Sequence, residues 1–309
     1  MWIDFTLEVE MDAFRLEDED ATLSLDACTD ENAKRTRKRI TSFTAAQFAH
    51  QHRNFAFSLL LCGSRARFVR WDYAGAIVTK HFDYHQDSRL LAEFFWRYGQ
   101  LTSAQRGVDP TVFVATSEER DSFTASIHQW MADKSKRKSP GMKNATDPEY
   151  TCHKIMMAGP NGASNEYLVQ KPLSPPTSPV GRCTKAYIAL DLATNKLVFL
   201  KDYWRSSDRN RPAEADVYHA LETAGVPHLP RVHVAGDVFN DDGQPQATLT
   251  GKWKQEACGS TDRREYIHHR IVQDIAYPLS SVRSSRELVA AIRSTVQCKS
   301  LILFSILWR

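Results

Sequence analysis

The stretch from Val180 to Leu221 holds the residue types that a phosphate clamp requires, in the order it requires them. A loop opened by Gly181 leads into a strand-turn-strand pattern, Lys185–Leu190 and Leu197–Lys201, with Thr194 and Asn195 at the turn. Lys201 closes the second strand. Glu214 starts a helix expected over 213–224, with Pro212 near its first position and Gly225 as its stop. Backbone N–H groups of such a loop cover phosphates, the lysine neutralises them, and the helix acid fixes the lysine through an ion pair. The thirteen-residue gap between Lys201 and Glu214 leaves room for a turn and the first helical residues. A strand lysine and a helix acid are also common as two unrelated surface charges, so the spacing alone leaves both readings open.

The elements around these residues suggest an α+β chain. Asp30 or Asn32 caps a helix running through Phe43, Phe48 and His52. Phe55–Leu61, Arg65–Trp71 and Ala76–Lys80 read as a β-meander with a turn at Asp72–Gly75. Ser88–Tyr98 is expected to be helical, with Leu90, Leu91, Phe94 and Phe95 on one face, and Leu101–Gly107 a short helix. Trp71 and Trp96 are expected in the core. Residues 132–148 are charged and 171–180 hold four prolines; both read as exposed linkers, with a domain boundary near residue 150. Strands follow at Val232–Val234 and Ile267–Val272, then a helix capped by Ser284 or Ser285 through Leu288, Val289 and Ile292.

The 309 residues are 42% hydrophobic and 25% charged, which excludes whole-chain disorder, collagen and coiled-coil arrays. No apolar run approaches the ~18–20 residues that span a bilayer, and the acidic start lacks a leader pattern. Six cysteines lie far apart without a CxxC, which excludes a zinc ribbon and favours a reducing, intracellular compartment, cytoplasmic or nuclear. Residues 1–31 carry eleven acids against one base, whereas Lys34–Arg39 holds five bases in six residues and 134–138 holds four in five. Such basic runs serve nucleic acid binding or nuclear import in some proteins and form solvated surfaces in more. The expectation is therefore no nucleic-acid partner and no membrane.

Other possible sites are weaker. His81 and His85 are four apart but fall in a strand-and-turn region, and a metal needs three or four ligands. His50 and His52 face different sides of a helix.

Several ordered segments resemble the fungal-type protein kinases, whose domain joins an associated module to a diverged kinase fold. They are Ala49–Arg53, Ala66–Thr79, Leu91–Arg97 with Arg106–Val112, Val198–Arg205, Ala224–Pro227 and Ser284–Val289. The resemblance covers roughly residues 1–297. It implies an associated module over 1–131, a linker region with some local structure over 132–179, and a kinase-like N-lobe with hinge and first C-lobe helix over 180–297. A divergent tail occupies 298–309. It further implies ATP-dependent phosphoryl transfer to a protein Ser or Thr, with Gly181, Lys201 and Glu214 toward the phosphates. Asp274 to Ala276 would form the hinge strand, and Val272 or Gln273 would border the adenine.

Four departures set this sequence apart from the family pattern. The family's glycine-rich loop reads Gly181-Arg-Cys183-Thr-Lys-Ala186, which keeps only the first glycine and puts side chains where backbone should approach phosphate. His268-His-Arg270 is followed by Ile271 rather than an acid, and no D-F-G-type Mg²⁺ site follows. The segment Cys298–Arg309 does not resemble the family's continuation. The family's start resembles an E-F-K triplet, which here reads Asp4-Phe5-Thr6. The expectation is a pseudokinase, truncated before its catalytic loop, with weak ATP binding and no catalytic acid or Mg²⁺ ligand in the chain. The alternative is a non-catalytic binding or regulatory fragment, or a truncated gene product.

Overall fold

The computed structural model describes residues 1–14, 30–134, 136, 140–158, 164–208, 210–253, 265–277 and 279–307. The acidic run at 17–26, residues 135, 137 and 138 of the second basic run, and the last two residues of the tail lie outside the described residues. Two compact units emerge, one made of residues 1–110, 175–183 and 240–267, the other of 111–174, 184–239 and 268–309. The first break falls after Pro110, not near residue 150, because Val112–Val114 pairs with His153–Ala158 in the second unit.

The first unit is a mixed sheet with helices. β1 (Trp2–Thr6), unforeseen in the sequence, runs parallel to β2 (Phe55–Cys62). A parallel pair needs a long crossover, which α1 (Glu31–His50) supplies. Asp30 caps α1 by accepting the Asn32 N–H at 2.8 Å. The buried face is Ala33, Thr36, Ile40, Thr44, Ala45 and Phe48, while Phe43 is exposed and His52 lies past the helix end. β3 (Arg65–Asp72) folds back on β2 through Gly63-Ser64, and β4 (Gly75–Val78) and β5 (Phe82–Asp83) both pair with β3. α2 (Arg89–Gln100) lays Phe94 on Phe68, centroids 4.1 Å apart, but buries none of its residues. Trp71 is in the core; Trp96, expected there too, is 68% exposed.

No helix forms at Leu101–Gly107; the segment is a series of turns. Gly107 sits at φ +89°, and a Cβ there would lie 2.0 Å from the Phe55 carbonyl oxygen. Gly107→Ala is expected to cost ~3 kcal/mol or more, through backbone strain and a clash with a strand that cannot yield. A denaturant midpoint equal to wild type would show that this turn relaxes freely.

The second unit is built on seven strands in the order β11-β12-β10-β9-β8-β7-β6. These are β6 (Val112–Val114), β7 (His153–Ala158), β8 (Ser164–Val169), β9 (Lys185–Asp191), β10 (Lys196–Ser206), β11 (Val232–Asp237) and β12 (Tyr266–Gln273). Residues alternate between two cores. Ile188 and Leu190 join Phe123 and Ile127 of α3 (Ser117–Ala132), whereas Tyr187 and Ala189 join Ile155, Tyr167, Leu200 and Val272. The stretch expected as linker therefore contributes two strands, and its short helix α4 (Pro140–Lys143) brings Met142 into the core with α3, joined by Ala145. Residues 171–180 are exposed apart from half-buried Lys171 and Pro176 and buried Pro172 and Pro179. The final helix runs Ser285–Leu307 without a break at residue 297, and Ser284 Oγ accepts the Glu287 N–H at its start. No helix among the described residues is long and apolar enough to cross a membrane.

Candidate functional site

β10 pairs antiparallel with β9, placing Lys201 opposite Ala186. The strand continues to Ser206, so Lys201 lies within it and not at its end. Ala186 is correspondingly a strand residue and not part of the loop. Lys201, Tyr203 and Arg205 alternate onto one face of β10, with Asp202 and Trp204 on the other.

Lys201 Nζ lies 2.6 Å from Glu214 Oε1, and each side chain is about one-quarter exposed, at 26% and 23%. Glu214 begins α5 (Glu214–Thr223), where an acid is favoured by the helix dipole. Ala213 is the N-cap and makes no side-chain bond. The expected face of Val217, Tyr218 and Leu221 is not buried; α5 buries no residue at all. Val217 is exposed, while Tyr218 and Leu221 are half-buried, so the polar pair supplements partial apolar packing.

Next to it, a second polar group ties β10, β11 and β12 together. Arg205 grips Asp237 with two bonds of 2.8 and 2.6 Å, and His269 Nδ1 lies 2.7 Å from the same carboxylate. Burial alone would raise the Asp237 carboxyl, but the Arg205 guanidinium and the His269 ring hold it well below the usual carboxylate range. Asp237→Asn is expected to cost about 2 kcal/mol near neutral pH, the scale of a charged hydrogen bond. A depressed folded value means that stabilisation is complete above the unfolded value of about 3.9 and is lost as pH falls toward the folded one. The gap between wild type and variant in urea melts should be flat above about pH 5 and close below about pH 4. A gap that widens on acidification would contradict the assignment.

On the other face, His268 Nε2 is hydrogen-bonded to Asp202 Oδ1, and the His268 ring stacks on Trp204 at 4.8 Å and 5°. Arg270, fully buried, lies 3.4 Å from Asp202 and donates to Thr111 Oγ1 at 2.7 Å and the Met156 carbonyl at 3.1 Å.

β12 ends at Gln273, so Asp274–Ala276 lies beyond the strand without regular secondary structure of its own. Val272 and Gln273 are both buried, Val272 within the core. Asp274 donates its N–H to the Arg231 carbonyl at 3.1 Å, and its Oδ1 lies 2.8 Å from His233 Nε2. Asp274 and Ala276 are exposed.

Gly181 belongs to the first unit and has φ +95°. Its N–H donates to the Tyr73 carbonyl at 2.8 Å and is thereby committed. Cys183 sits at φ +40°, a conformation that favours glycine and costs a side-chain-bearing residue about 1–2 kcal/mol. Its Sγ donates to the Ser178 carbonyl at 3.2 Å. The backbone here keeps a glycine's shape at a position where the residue is cysteine.

Asp4 is gripped by Arg39 through two bonds of 3.1 and 2.6 Å, and Thr6 Oγ1 donates to the Leu61 carbonyl at 3.3 Å. Among the described residues no three or more His, Cys, Asp or Glu side chains gather as a metal ion would need.

Lys201 and Glu214, thirteen residues apart in sequence, are thus brought together. Arg205, Asp237 and His269 escape sequence reasoning because their pairing crosses three strands. No curated protein and no solved structure matches this chain. The model of the family described as fungal protein kinase matches residues 17–307, nearly the whole chain, and the protein belongs to that family.

Proposed function

We propose that the second unit binds a nucleoside triphosphate, ATP by family, with Lys201 against the α- and β-phosphates. The observation that carries this is the 2.6 Å Lys201–Glu214 pair linking a central strand to the helix after it. An ammonium held in that way keeps its charge at a fixed place and loses little side-chain freedom when phosphate arrives. The base would lie beside the chain that follows β12, at Asp274–Ala276, where the Asp274 N–H is already bonded to the Arg231 carbonyl. Gly181, whose N–H is engaged with Tyr73, is not counted among the phosphate donors.

The family's reaction passes the γ-phosphoryl group to a protein Ser or Thr hydroxyl. Transfer also needs Mg²⁺ ligands and a residue that orients the acceptor. Among the described residues no three or more His, Cys, Asp or Glu side chains gather, and no step is assigned to the metal. We propose that residues 1–309 alone bind nucleotide weakly and do not transfer phosphate, acting as a pseudokinase. The test is titration with ATP with and without Mg²⁺, paired with a radiolabel transfer assay on a generic protein substrate. The expected result is saturable binding that Mg²⁺ barely strengthens, and no labelled product. Label transfer that Lys201→Met abolishes would overturn the non-catalytic reading.

A further inference from the structure

On the first unit, Lys34, Arg37, Lys38, Thr41 and Ser42 recur along α1 at i, i+3, i+4, i+7 and i+8, a single stripe of the helix. With Thr177 they line a cavity of about 420 Å³. Its lining is three cations and three hydroxyls, without a carboxylate or an aromatic ring. Lys34 and Lys38 are a like-charge i,i+4 pair, which costs a helix a few tenths of a kcal/mol. Arg37 is already anchored, its Nε and Nη2 donating to the Ala13 carbonyl at 3.0 and 2.8 Å. Lys34 Nζ meets Glu31 at 2.8 Å, a pair whose acid is 87% exposed. Lys38 is exposed and makes no ion pair among the described residues. Ser42 Oγ donates to the Arg39 carbonyl at 2.7 Å. Lys34, Lys38 and the hydroxyls of Thr41 and Thr177 are therefore the groups this concavity offers to an oxyanion with several acceptor oxygens.

We propose that this cavity is a site for a phosphate-monoester dianion. Three cations relieved of mutual repulsion by a double negative charge offset the cost of assembling them. A nucleic-acid surface would track a backbone along an extended stripe and carry aromatic platforms, and none of the six lining residues is aromatic. The phosphate has two sources. It is either a group arriving from solution or a phosphoryl group on Thr177 itself, whose side chain is exposed on a segment with prolines at 175, 176 and 179. In the second case a separate kinase supplies it from a nucleoside triphosphate. The Thr177 Oγ–phosphorus bond forms, the bond from the γ-phosphorus to its bridging oxygen breaks, the hydroxyl proton leaves, and nucleoside diphosphate departs. The inference is independent of the nucleotide reading, because its residues lie in the other unit.

The test is calorimetric titration of the full chain with free phosphothreonine at fixed ionic strength. Saturable one-to-one binding is expected, weakened at least tenfold in Lys34→Ala/Lys38→Ala. Arg35→Ala is the control, since Arg35 belongs to the same basic run but does not line the cavity; it should bind within about twofold of wild type, because position 35 falls outside the i, i+3, i+4, i+7, i+8 stripe. All three side chains are exposed, so the variants retain the fold. Absence of saturable binding would overturn the proposal. So would an equal loss in Arg35→Ala, or tighter binding of a single-stranded oligonucleotide with the same sensitivity to all three lysine and arginine changes. Installing phosphothreonine in place of Thr177 then separates the sources. Loss of binding of the free amino acid means that the site is filled from within, and unchanged binding means that it fills from solution.

Discussion

Asp202→Ala is expected to lower stability by about 3–5 kcal/mol, the cost of leaving a buried charge without its partner. Arg270 is fully buried and Asp202 nearly so, and the carboxylate faces both the guanidinium and the His268 ring. Removing it takes away the carboxylate and leaves Arg270 facing neutral acceptors such as the Thr111 hydroxyl and the Met156 carbonyl. Such groups satisfy donors but do not neutralise charge. Removing both charges in Asp202→Ala/Arg270→Met should recover much of the loss, because replacing a buried pair with apolar groups is often neutral. Urea melts of the single and double variants measure this directly. A single-variant loss under about 1 kcal/mol would mean that water reaches the pair and that the seven-stranded sheet is not closed over it.

The second large effect concerns Lys201. Lys201→Met keeps the length and apolar stem of the side chain and removes the ammonium. A charged contact to phosphate contributes about 1.5–3 kcal/mol, so ATP affinity should fall about 10- to 100-fold. Glu214→Gln should weaken ATP less, since it loosens the position of the ammonium without removing its charge. α5 has no fully buried side chain, only half-buried ones such as Tyr218 and Leu221, so this pair contributes to its register on the sheet. A Glu214→Gln loss as great as that of Lys201→Met would show that the helix itself detaches.

Much of this architecture is legible locally. The β2–β3 hairpin follows from alternating apolar residues around Gly63, and the β9–β10 hairpin from Thr194-Asn195, where Asn195 takes φ +52°. The Lys201–Glu214 pair is legible for the same reason, since strand, turn and helix start are contiguous. α3 was equally accessible: Thr116 and Glu119 have capping-box spacing, and both bonds of the box form. β7 and β8 are harder to see, because Pro, Gly and charged neighbours surround them and their pairing partners lie elsewhere in the chain. Exposure is least legible. Trp96 and Val217 have the apolar character of core residues, but burial depends on what faces a helix, which local periodicity does not encode. The Asp237 and Asp202 clusters depend on strand order, and no spacing rule links residues 32 or 66 apart.

The role proposed for Lys201 is recognition of phosphates. Its most direct test compares ATP with adenosine, which shares the base and sugar and lacks the phosphates, in wild type and Lys201→Met by equilibrium titration. The variant is expected to lose about 10- to 100-fold for ATP and to change by less than about twofold for adenosine. Equal losses for both ligands, or an unchanged ATP affinity, would contradict it.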